Sequence, residues 1–263
     1  MKIIHNVGLN VSEIAQKEFK LLGFDLSMGI TSFKIEESDK RWPQVQHLSV
    51  KYNAIDTCIT KFTEKEQDAA NYLYMVANWH YGYPEPSDDF GYLEQTYDVT
   101  KGCLTCDIGL IQKAPFRFAK EPKWGRRNIL QLNWIFDEFF VQPELWEKVF
   151  KPIGIQCRDV LHAKKDKKLD TVVQLIIPED DVHVDVNGYP SKTCEVCGRV
   201  KTLPISRGYF PPLLNTPSAP IFKVRNCFGS GGSAYRPVIV SSLMFKAIQD
   251  YGVKGVEFEP CAE

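Results

Sequence analysis

Two pairs of cysteines with the same spacing are the residues of this chain best suited to chemistry. They are Cys103-Leu-Thr-Cys106 and Cys194-Glu-Val-Cys197, and Gly198 follows the second pair directly. A Cys-x-x-Cys turn places two sulfurs on one side of a tight knuckle, and two facing knuckles form the tetrahedral cage of four sulfurs that Zn²⁺ prefers. The sequence therefore predicts one structural Zn²⁺ site with the ligands Cys103, Cys106, Cys194 and Cys197.

The separation of the two pairs leaves two other interpretations open. The 87 residues between Cys106 and Cys194 far exceed the roughly 15–20 of a compact zinc ribbon, so the fold must bring the knuckles together. The pairs could instead be a redox dithiol, although neither opens a thioredoxin-like βαβ unit, or unrelated free thiols. Catalytic zinc is disfavoured because four thiolates leave no open coordination position for water.

Two histidines lie near carboxylates in the sequence. His80 precedes Asp88 and Asp89, and His183 stands between Asp181 and Asp185. Such pairs could act in acid–base chemistry or bind a metal. No recognisable nucleophile motif accompanies them, and we expect packing or surface roles for both histidines.

Four polar segments have a functional and a plainer interpretation each. The segment Gly229–Ser233 lacks the ending of a P-loop, so a hairpin loop is favoured over a phosphate cradle. The basic segments Lys120–Arg127, which contains Trp124, and Lys164–Lys168 could contact nucleic acid or a protein, or could simply be solvated. The acidic run Glu179–Asp185 could complement a basic partner such as a nuclease toxin, or be a solvated turn.

The overall composition argues for an ordinary globular protein. Of its 263 residues, 44% are hydrophobic and 25% are charged, and the formal net charge of -1 excludes a general basic field for nucleic acid. The sequence contains no run of 18 apolar residues, so no membrane span is predicted, and the N-terminus lacks the apolar segment of a secretory signal. These features predict a cytoplasmic protein, in which the eight cysteines are not a disulfide framework.

Helix and strand signals alternate through the first hundred residues. A helix is predicted over 12–22 with Ser12 as N-cap and Gly23 at its end, followed by a strand over 30–35. Thr63-Glu64-Lys65-Glu66 is a capping box, and the apolar positions after it predict a helix that continues through Ala77. Residues 81–89 have the composition of a loop.

The second half contains an internal repeat. Residues 140–149 followed by Gly154 resemble residues 239–248 followed by Gly252, each reading as strand, cap, short helix, glycine and strand. Pro143 suits the first helical turn of one unit, and Ser241 or Ser242 suits the N-cap of the other. Further strands are predicted over 129–136, 171–177, 221–224 and 238–240. The pattern predicts an α+β fold built partly by duplication, with mixed sheets, short helices and a split zinc-ribbon-like site of four cysteines. Chance similarity remains an alternative for the repeat.

The placed motifs resemble the double-CXXCG family of bacterial proteins, which is abundant in myxobacteria. The resemblance rests on Cys103-Leu-Thr-Cys106, on Cys194-Glu-Val-Cys197-Gly198, and on the tail from Arg236 to Pro260, and it spans about residues 90–263. Asp107 stands where the family's first motif has glycine. The family comprises immunity proteins of polymorphic or contact-delivered toxins, so the resemblance implies a single immunity-type domain over residues 1–263, with a variable N-terminal lobe about 1–90 and a zinc-knuckle part about 91–263.

The resemblance also implies a function. The chain is expected to be a cytoplasmic binding protein, not an enzyme, that neutralises a cognate toxin encoded by the adjacent gene, with Zn²⁺ serving structure only. A zinc-ribbon protein that binds nucleic acid through Lys120–Arg127 and Lys164–Lys168 is the alternative, and an enzyme using His80 or His183 is a third hypothesis. Salt-dependent binding of generic DNA or RNA would favour the second.

Overall fold

A computed structural model describes all residues, 1–263, and shows an α+β protein. Helices account for 20% and strands for 32% of the chain, distributed over several separate sheets, which confirms the predicted fold class. No helix combines the length and the apolar character that a membrane span requires. The chain divides into two compact units: residues 1–66 with 205–209 form the smaller, and residues 67–204 with 210–263 form the larger.

The smaller unit is a three-stranded antiparallel sheet with two helices. Its strands lie in the order β2-β1-β3. Its elements are β1 (Lys2–Val11), α1 (Glu13–Leu21), β2 (Gly29–Glu36), α2 (Trp42–Lys51) and β3 (Ile55–Lys61). Alternate residues of β1 are buried against the helices, where they form a core with Phe19 and Val45. As predicted, the Ser12 side chain accepts a hydrogen bond from the N–H of Ala15 at the start of α1, and Gly23 follows its end with φ of 82°.

The larger unit contains the remaining strands and helices after α3 (Glu64–Ala69), within which the boundary between the units falls. Its first half contains β4 (Tyr72–Ala77), α4 (Tyr92–Thr96), β5 (Tyr97–Asp98), β6 (Ile111–Gln112), β7 (Arg117–Phe118), β8 (Ile129–Leu130), β9 (Phe140–Val141) and α5 (Pro143–Leu145). Its second half contains β10 (Gln156–His162), β11 (Lys168–Ile176), β12 (Ser191–Thr193), β13 (Val200–Thr202), β14 (Ile221–Lys223), β15 (Val238–Ser241), α6 (Ser242–Asp250) and β16 (Val256–Pro260).

The sequence repeat corresponds to two similar arrangements of strands in the larger unit. One sheet has the order β7-β10-β11-β9-β8 and another the order β14-β15-β4-β16. In the first, β9 and β10 flank β11 and are both antiparallel to it. In the second, β15 and β16 flank β4 in the same way. Each repeat is therefore a split β-α-β unit with one antiparallel strand between its two parallel strands.

The helices of the two repeats end in the same way and share one core. Ser241 is the N-cap of α6 and accepts a hydrogen bond from the N–H of Met244, and Gly252 follows the helix with φ of 76°. In the first repeat α5 continues as a π-helical turn and then a 3-10 turn, after which Gly154 has φ of 85°. Both glycines adopt the left-handed conformation that L side chains disfavour. The buried residues shared by this core include Leu145, Val149, Phe150, Met244, Phe245 and Ile248.

The predicted helix over 63–77 is wrong beyond Ala69. The capping box itself forms, because the N–H of Glu66 donates to the Thr63 hydroxyl and the Glu66 carboxylate accepts from the Thr63 N–H. The residues that follow form β4 instead, in which Leu73, Met75 and Ala77 are buried and alternate with half-buried neighbours. Burial of every second residue fits a strand, and the pairing of β4 with β15 and β16 outweighs the helical propensity of its residues.

The predicted strand over 129–136 is correct only for its first two residues. Beyond β8, the N–H and the side-chain amide of Asn133 both donate to the carbonyl of Gly82, at 2.9 and 2.7 Å. Trp134 then adopts φ of 70°, which is incompatible with extended backbone. The apolar residues here line a loop rather than a sheet.

Candidate metal centre

Each cysteine pair lies in the loop of a β-hairpin. The first pair follows β5 and precedes β6, and these strands pair through Tyr97 with Gln112 and Asp98 with Ile111. The second pair begins directly after β12, whose Thr193 pairs with Val200 of β13. The two loops approach each other, so the fold supplies the proximity that the long separation in sequence requires. This is a zinc-ribbon-like arrangement split across the chain.

The backbones of the two knuckles make the same hydrogen bonds. The N–H of Asp107 donates to the carbonyl of Cys103 at 2.7 Å, and the N–H of Gly198 donates to the carbonyl of Cys194 at 2.9 Å. In addition, the N–H of each first cysteine donates to the carbonyl five residues later, that of Ile108 or Arg199. The equivalent residues after each second cysteine, Asp107 and Gly198, both have positive φ, at 60° and 70°.

The four predicted ligands come together as one cluster. The sulfurs of Cys103, Cys106, Cys194 and Cys197 all lie within 4.8 Å of one another. Across the two knuckles, Cys103 Sγ is 3.9 Å from Cys194 Sγ, and Cys106 Sγ is 3.6 Å from Cys197 Sγ. A tetrahedral ion with metal–sulfur bonds of about 2.3 Å would place its ligands about 3.8 Å apart. The spacing of the thiols therefore fits a single tetrahedral metal ion, and the four cysteines could hold one.

Hydrogen bonds and burial act differently on the thiols. A backbone N–H bond from Thr105 has the largest effect on Cys103 and contributes to lowering its pKa to about 6. Backbone N–H bonds from Cys197 and Val196 likewise lower the pKa of Cys194. Burial raises the pKa of Cys106 to about 12. The first cysteine of each pair is thus stabilised as the thiolate that binds metal, whereas Cys106 needs a cation beside it to ionise.

Arg199 joins the two hairpins. Its guanidinium Nη1 donates to the carbonyl of Ile108 at 2.5 Å, although Arg199 itself ends the second knuckle. Gly109 makes this approach possible, because a Cβ at that position would lie 2.3 Å from the same nitrogen. Arg199 is not among the site residues predicted from the sequence, although its position two residues after Cys197 is a signal for a contact at the centre.

The segment Gly229–Ser233 is a hairpin loop, as favoured from its composition. It connects Phe228 and Tyr235, whose backbone groups exchange hydrogen bonds. The buried Lys201 ammonium donates to the carbonyls of Gly231 and Ser233, both at 2.8 Å. The carbonyl oxygens inside the loop thus bind the Lys201 ammonium, and this contact attaches the loop to β13 beside the cysteine cluster.

The two histidines singled out in the sequence are both exposed. His80 packs edge-on against Phe136, with ring centroids 6.3 Å apart, and its desolvation lowers its pKa. The backbone N–H of His183 donates to the side chain of Asn215 at 3.1 Å. Neither imidazole forms an ion pair with the neighbouring aspartates, so the structure does not bring these residues together as a site.

Trp124, the aromatic residue of the basic segment Lys120–Arg127, is buried. Its indole N–H donates to the carbonyl of Thr171 at 3.0 Å, and its ring packs against Trp79 with centroids 5.5 Å apart. The segment 120–127 is therefore attached to the core through its aromatic residue, because burial of a large ring outweighs the polarity of its neighbours. A base cannot stack on Trp124 in this position.

The cysteine cluster is the one place in the structure where three or more His, Cys, Asp or Glu side chains lie close enough together to hold a metal ion. Comparison with models of known protein families finds no match, and none of the curated proteins is significantly similar to the chain.

Proposed function

We propose that the four cysteines bind one Zn²⁺ with a purely structural role. The observation that carries this proposal is the approach of four sulfurs to within 4.8 Å, in two knuckles with identical backbone hydrogen bonds. Four thiolates suit Zn²⁺ and fill its tetrahedral coordination sphere, which leaves no position for a reacting water. Bound there, the ion would join the hairpin β5–β6 to the hairpin β12–β13.

Elemental analysis tests the identity of the metal. Protein purified without chelators should contain about one zinc per chain and little iron, and each of the four cysteines should be needed for retention. Cys58 and Cys157, which lie outside the cluster, offer matched control substitutions to serine. Protein that contains no metal, or iron in place of zinc, would refute the assignment.

We further propose that the chain is an immunity protein, which binds and neutralises a cognate toxin encoded by a neighbouring gene. Its support is the set of motifs that resemble the double-CXXCG family, in which the paired knuckles are the common feature. The proposed zinc site is closed, so it favours a scaffold for binding over a reaction centre. Inhibition of this kind requires a preformed surface with aromatic or arginine anchors and complementary charge.

Co-expression tests the function directly. Cells that produce the neighbouring toxin should survive when this chain is present, and the two proteins should copurify, since stable interfaces bury about 1,200–2,000 Å². A variant that has lost zinc but remains folded at low temperature should still bind. Survival without physical contact would contradict the binding mechanism, and binding of generic nucleic acid that weakens steeply with salt would favour the alternative function.

A further inference from the structure

A polar cavity adjoins the proposed metal centre within the larger unit. Its volume is about 210 Å³, and the residue after Cys106, Asp107, forms part of its wall together with Ile108 and Gly109. The opposite parts of the wall come from the loop after β8 and from the strands β10, β11 and β14. Because drug-sized ligands occupy roughly 300–1,000 Å³, this cavity suits a single side chain better than a larger molecule.

Most charged groups in the cavity pair with one another. The buried Lys223 ammonium lies 2.5 Å from the Glu138 carboxylate, and Arg236 pairs with Glu179. Asp137 accepts a hydrogen bond from the backbone N–H of Arg236 at 3.1 Å. These contacts satisfy three of the four carboxylates in the wall, and the fourth is Asp107.

The Asp107 carboxylate has no hydrogen-bond or ion-pair partner, although it is half-buried. The buried ammonium of Lys201 donates to the loop carbonyls of Gly231 and Ser233 and not to this carboxylate. A positively charged residue, Arg158, also lines the cavity, and its guanidinium likewise forms no ion pair. A half-buried charge without a partner is costly unless a ligand supplies the opposite charge.

A cluster of aromatic residues, two of them exposed, lies next to these groups. Trp134 lines the cavity, and its ring centroid is 4.4 Å from that of Tyr83, 4.7 Å from that of Phe90 and 6.0 Å from that of Tyr92. Phe90 is 53% exposed and Tyr83 is 46% exposed. Exposed rings that pack together at a cavity resemble the anchoring positions of protein interfaces, where aromatic residues dominate binding energy.

The backbone around the cavity is held in an unfavourable conformation. Positive φ occurs at only six residues other than glycine: Asp107 and Trp134 line the cavity, and Phe90, which packs on Trp134, and its neighbour Asp89 are two more. For bulky residues such as Phe90 and Trp134, this conformation is a true outlier. Strain of this kind concentrates at binding sites, where the surrounding structure imposes it.

The geometry points to this cavity as the receptor for an arginine side chain of a protein partner. A guanidinium can form two parallel hydrogen bonds with the Asp107 carboxylate while its planar face stacks on the Trp134 cluster, which an ammonium or a phosphate cannot do. A carboxylate of the same partner loop would pair with Arg158. The inference deepens the proposed function, because it states which chemistry the toxin would present, and it disfavours nucleic acid, whose phosphates would face four carboxylates.

A capped amino acid tests the cavity without any toxin. The probe is N-acetyl-arginine N-methylamide, titrated into the zinc-loaded full chain and followed by amide NMR shifts, with capped citrulline as the uncharged control of the same shape. We expect millimolar binding of the arginine derivative, with shifts at 107–110 and 134–136, and binding of citrulline at least roughly ten-fold weaker. Equal shifts with both probes, or shifts elsewhere only, would overturn the proposal.

Two substitutions and one control assign the contacts. Asp107→Asn should abolish the preference for arginine over citrulline, and Phe90→Ala should weaken the binding of both probes. Leu243→Ala removes a side chain that is 78% exposed on α6, outside this cavity, and should change neither titration. Zinc content and far-UV circular dichroism show which variants are folded. A folded Asp107→Asn variant that still prefers arginine would refute the role of this carboxylate.

The same variants then distinguish this inference from the proposed function. If the wild-type chain protects cells from the neighbouring toxin, Phe90→Ala should reduce affinity for that toxin by roughly ten-fold or more, and Leu243→Ala should not. A toxin that binds wild type and Phe90→Ala equally would overturn the inference and leave the immunity function intact. A chain that binds capped arginine but no toxin would uphold the inference and refute the immunity function. Selective binding of an oligonucleotide at Trp134 would refute the inference.

Discussion

The two cysteine knuckles have the same backbone geometry but different surroundings. Cys103 and Cys106 are buried and lie in a long loop, whereas Cys197 is exposed and Cys194 is half-buried in a loop that the second knuckle fills completely. The strand that precedes the second knuckle, β12, is exposed along its whole length. The hydrogen bonds that shape each knuckle are therefore independent of burial, and they specify local geometry in both environments.

The difference indicates what a metal ion would contribute. The first knuckle is part of the wall of a polar cavity and packs with Ile108 in a small apolar cluster. The second faces the first through the sulfurs and is attached to it by Arg199, whose guanidinium donates to the carbonyl of Ile108. A metal ion would thus add the strongest connection between the exposed hairpin and the buried one. Substitutions at the two knuckles should therefore lower the stability of the protein by different amounts.

The largest effect is expected from removing a buried ligand. Cys106→Ser should release the zinc and lower the melting temperature sharply, because structural zinc contributes on the order of 10 kcal/mol of folding free energy. Differential scanning calorimetry together with zinc analysis measures both. Cys197→Ser should also release zinc, but it should lower the melting temperature less, since the exposed hairpin can detach while the buried loop stays packed. Equal melting temperatures for the two variants would remove the asymmetry between the knuckles.

A cysteine outside the centre provides the control. Cys58 lies on β3 of the smaller unit, so Cys58→Ser should retain zinc and should leave the melting temperature within about 1 °C of the wild type. A loss of zinc in this variant would mean that the metal is not held by the four clustered sulfurs.

The next largest effect is expected at the contact between the hairpins. Gly109→Ala places a Cβ 2.3 Å from the Arg199 guanidinium at a residue with φ of 87°, so it meets both a steric clash and backbone strain. We expect a loss of about 2–3 kcal/mol of unfolding free energy, measured by urea denaturation at saturating zinc. In an Arg199→Ala background, where the clash is absent, Gly109→Ala should cost less than it does in the wild type. An equal cost of Gly109→Ala in both backgrounds would show that backbone strain alone determines it.

The residue patterns were sufficient to predict which four cysteines cluster and where several helices end. Spacing alone identified the four cysteines, and the side chains of Ser12 and Ser241 cap α1 and α6 as their types indicate. Each knuckle and each cap depends on neighbours within about five residues in the chain, whereas the approach of one knuckle to the other depends on the fold. Local hydrogen bonding determines the knuckles and the caps, so local sequence contains the necessary information.

Features that depend on long-range pairing could not be predicted in this way. β4 follows a genuine capping box and has apolar residues compatible with a helix, yet it becomes the central strand between β15 and β16, which lie more than 150 residues later. The burial of Trp124 and the cavity beside Asp107 likewise depend on segments that only the fold brings together. The same holds for the contact of Arg199 with Ile108.

A smaller effect should appear when the charge beside the first knuckle is removed. Burial raises the pKa of Asp107 to about 6, above its ordinary value of 3.8. The folded chain therefore binds this proton more tightly than the unfolded chain, and stability falls as the pH rises from about 4 through 6. Asp107→Asn should consequently be more stable than the wild type at pH 8, and this gain should shrink at pH 5. Urea denaturation of both proteins at the two pH values measures it, and a gain independent of pH would contradict the buried charge.

The smallest effect is expected from making the second knuckle resemble the first. Gly198 has φ of 70° and no atom lies within 4 Å of the position that a Cβ would occupy, so a substitution there meets backbone strain alone. Because aspartate enters this conformation more readily than most residues, Gly198→Asp should cost less than about 1 kcal/mol and should retain zinc, whereas Gly198→Val should cost more. Thermal unfolding with zinc analysis compares the two variants. If Gly198→Asp releases zinc or costs as much as Gly198→Val, then the first knuckle tolerates Asp107 because of its cavity and not because of its backbone conformation. The two knuckles would then be equivalent only in their hydrogen bonds.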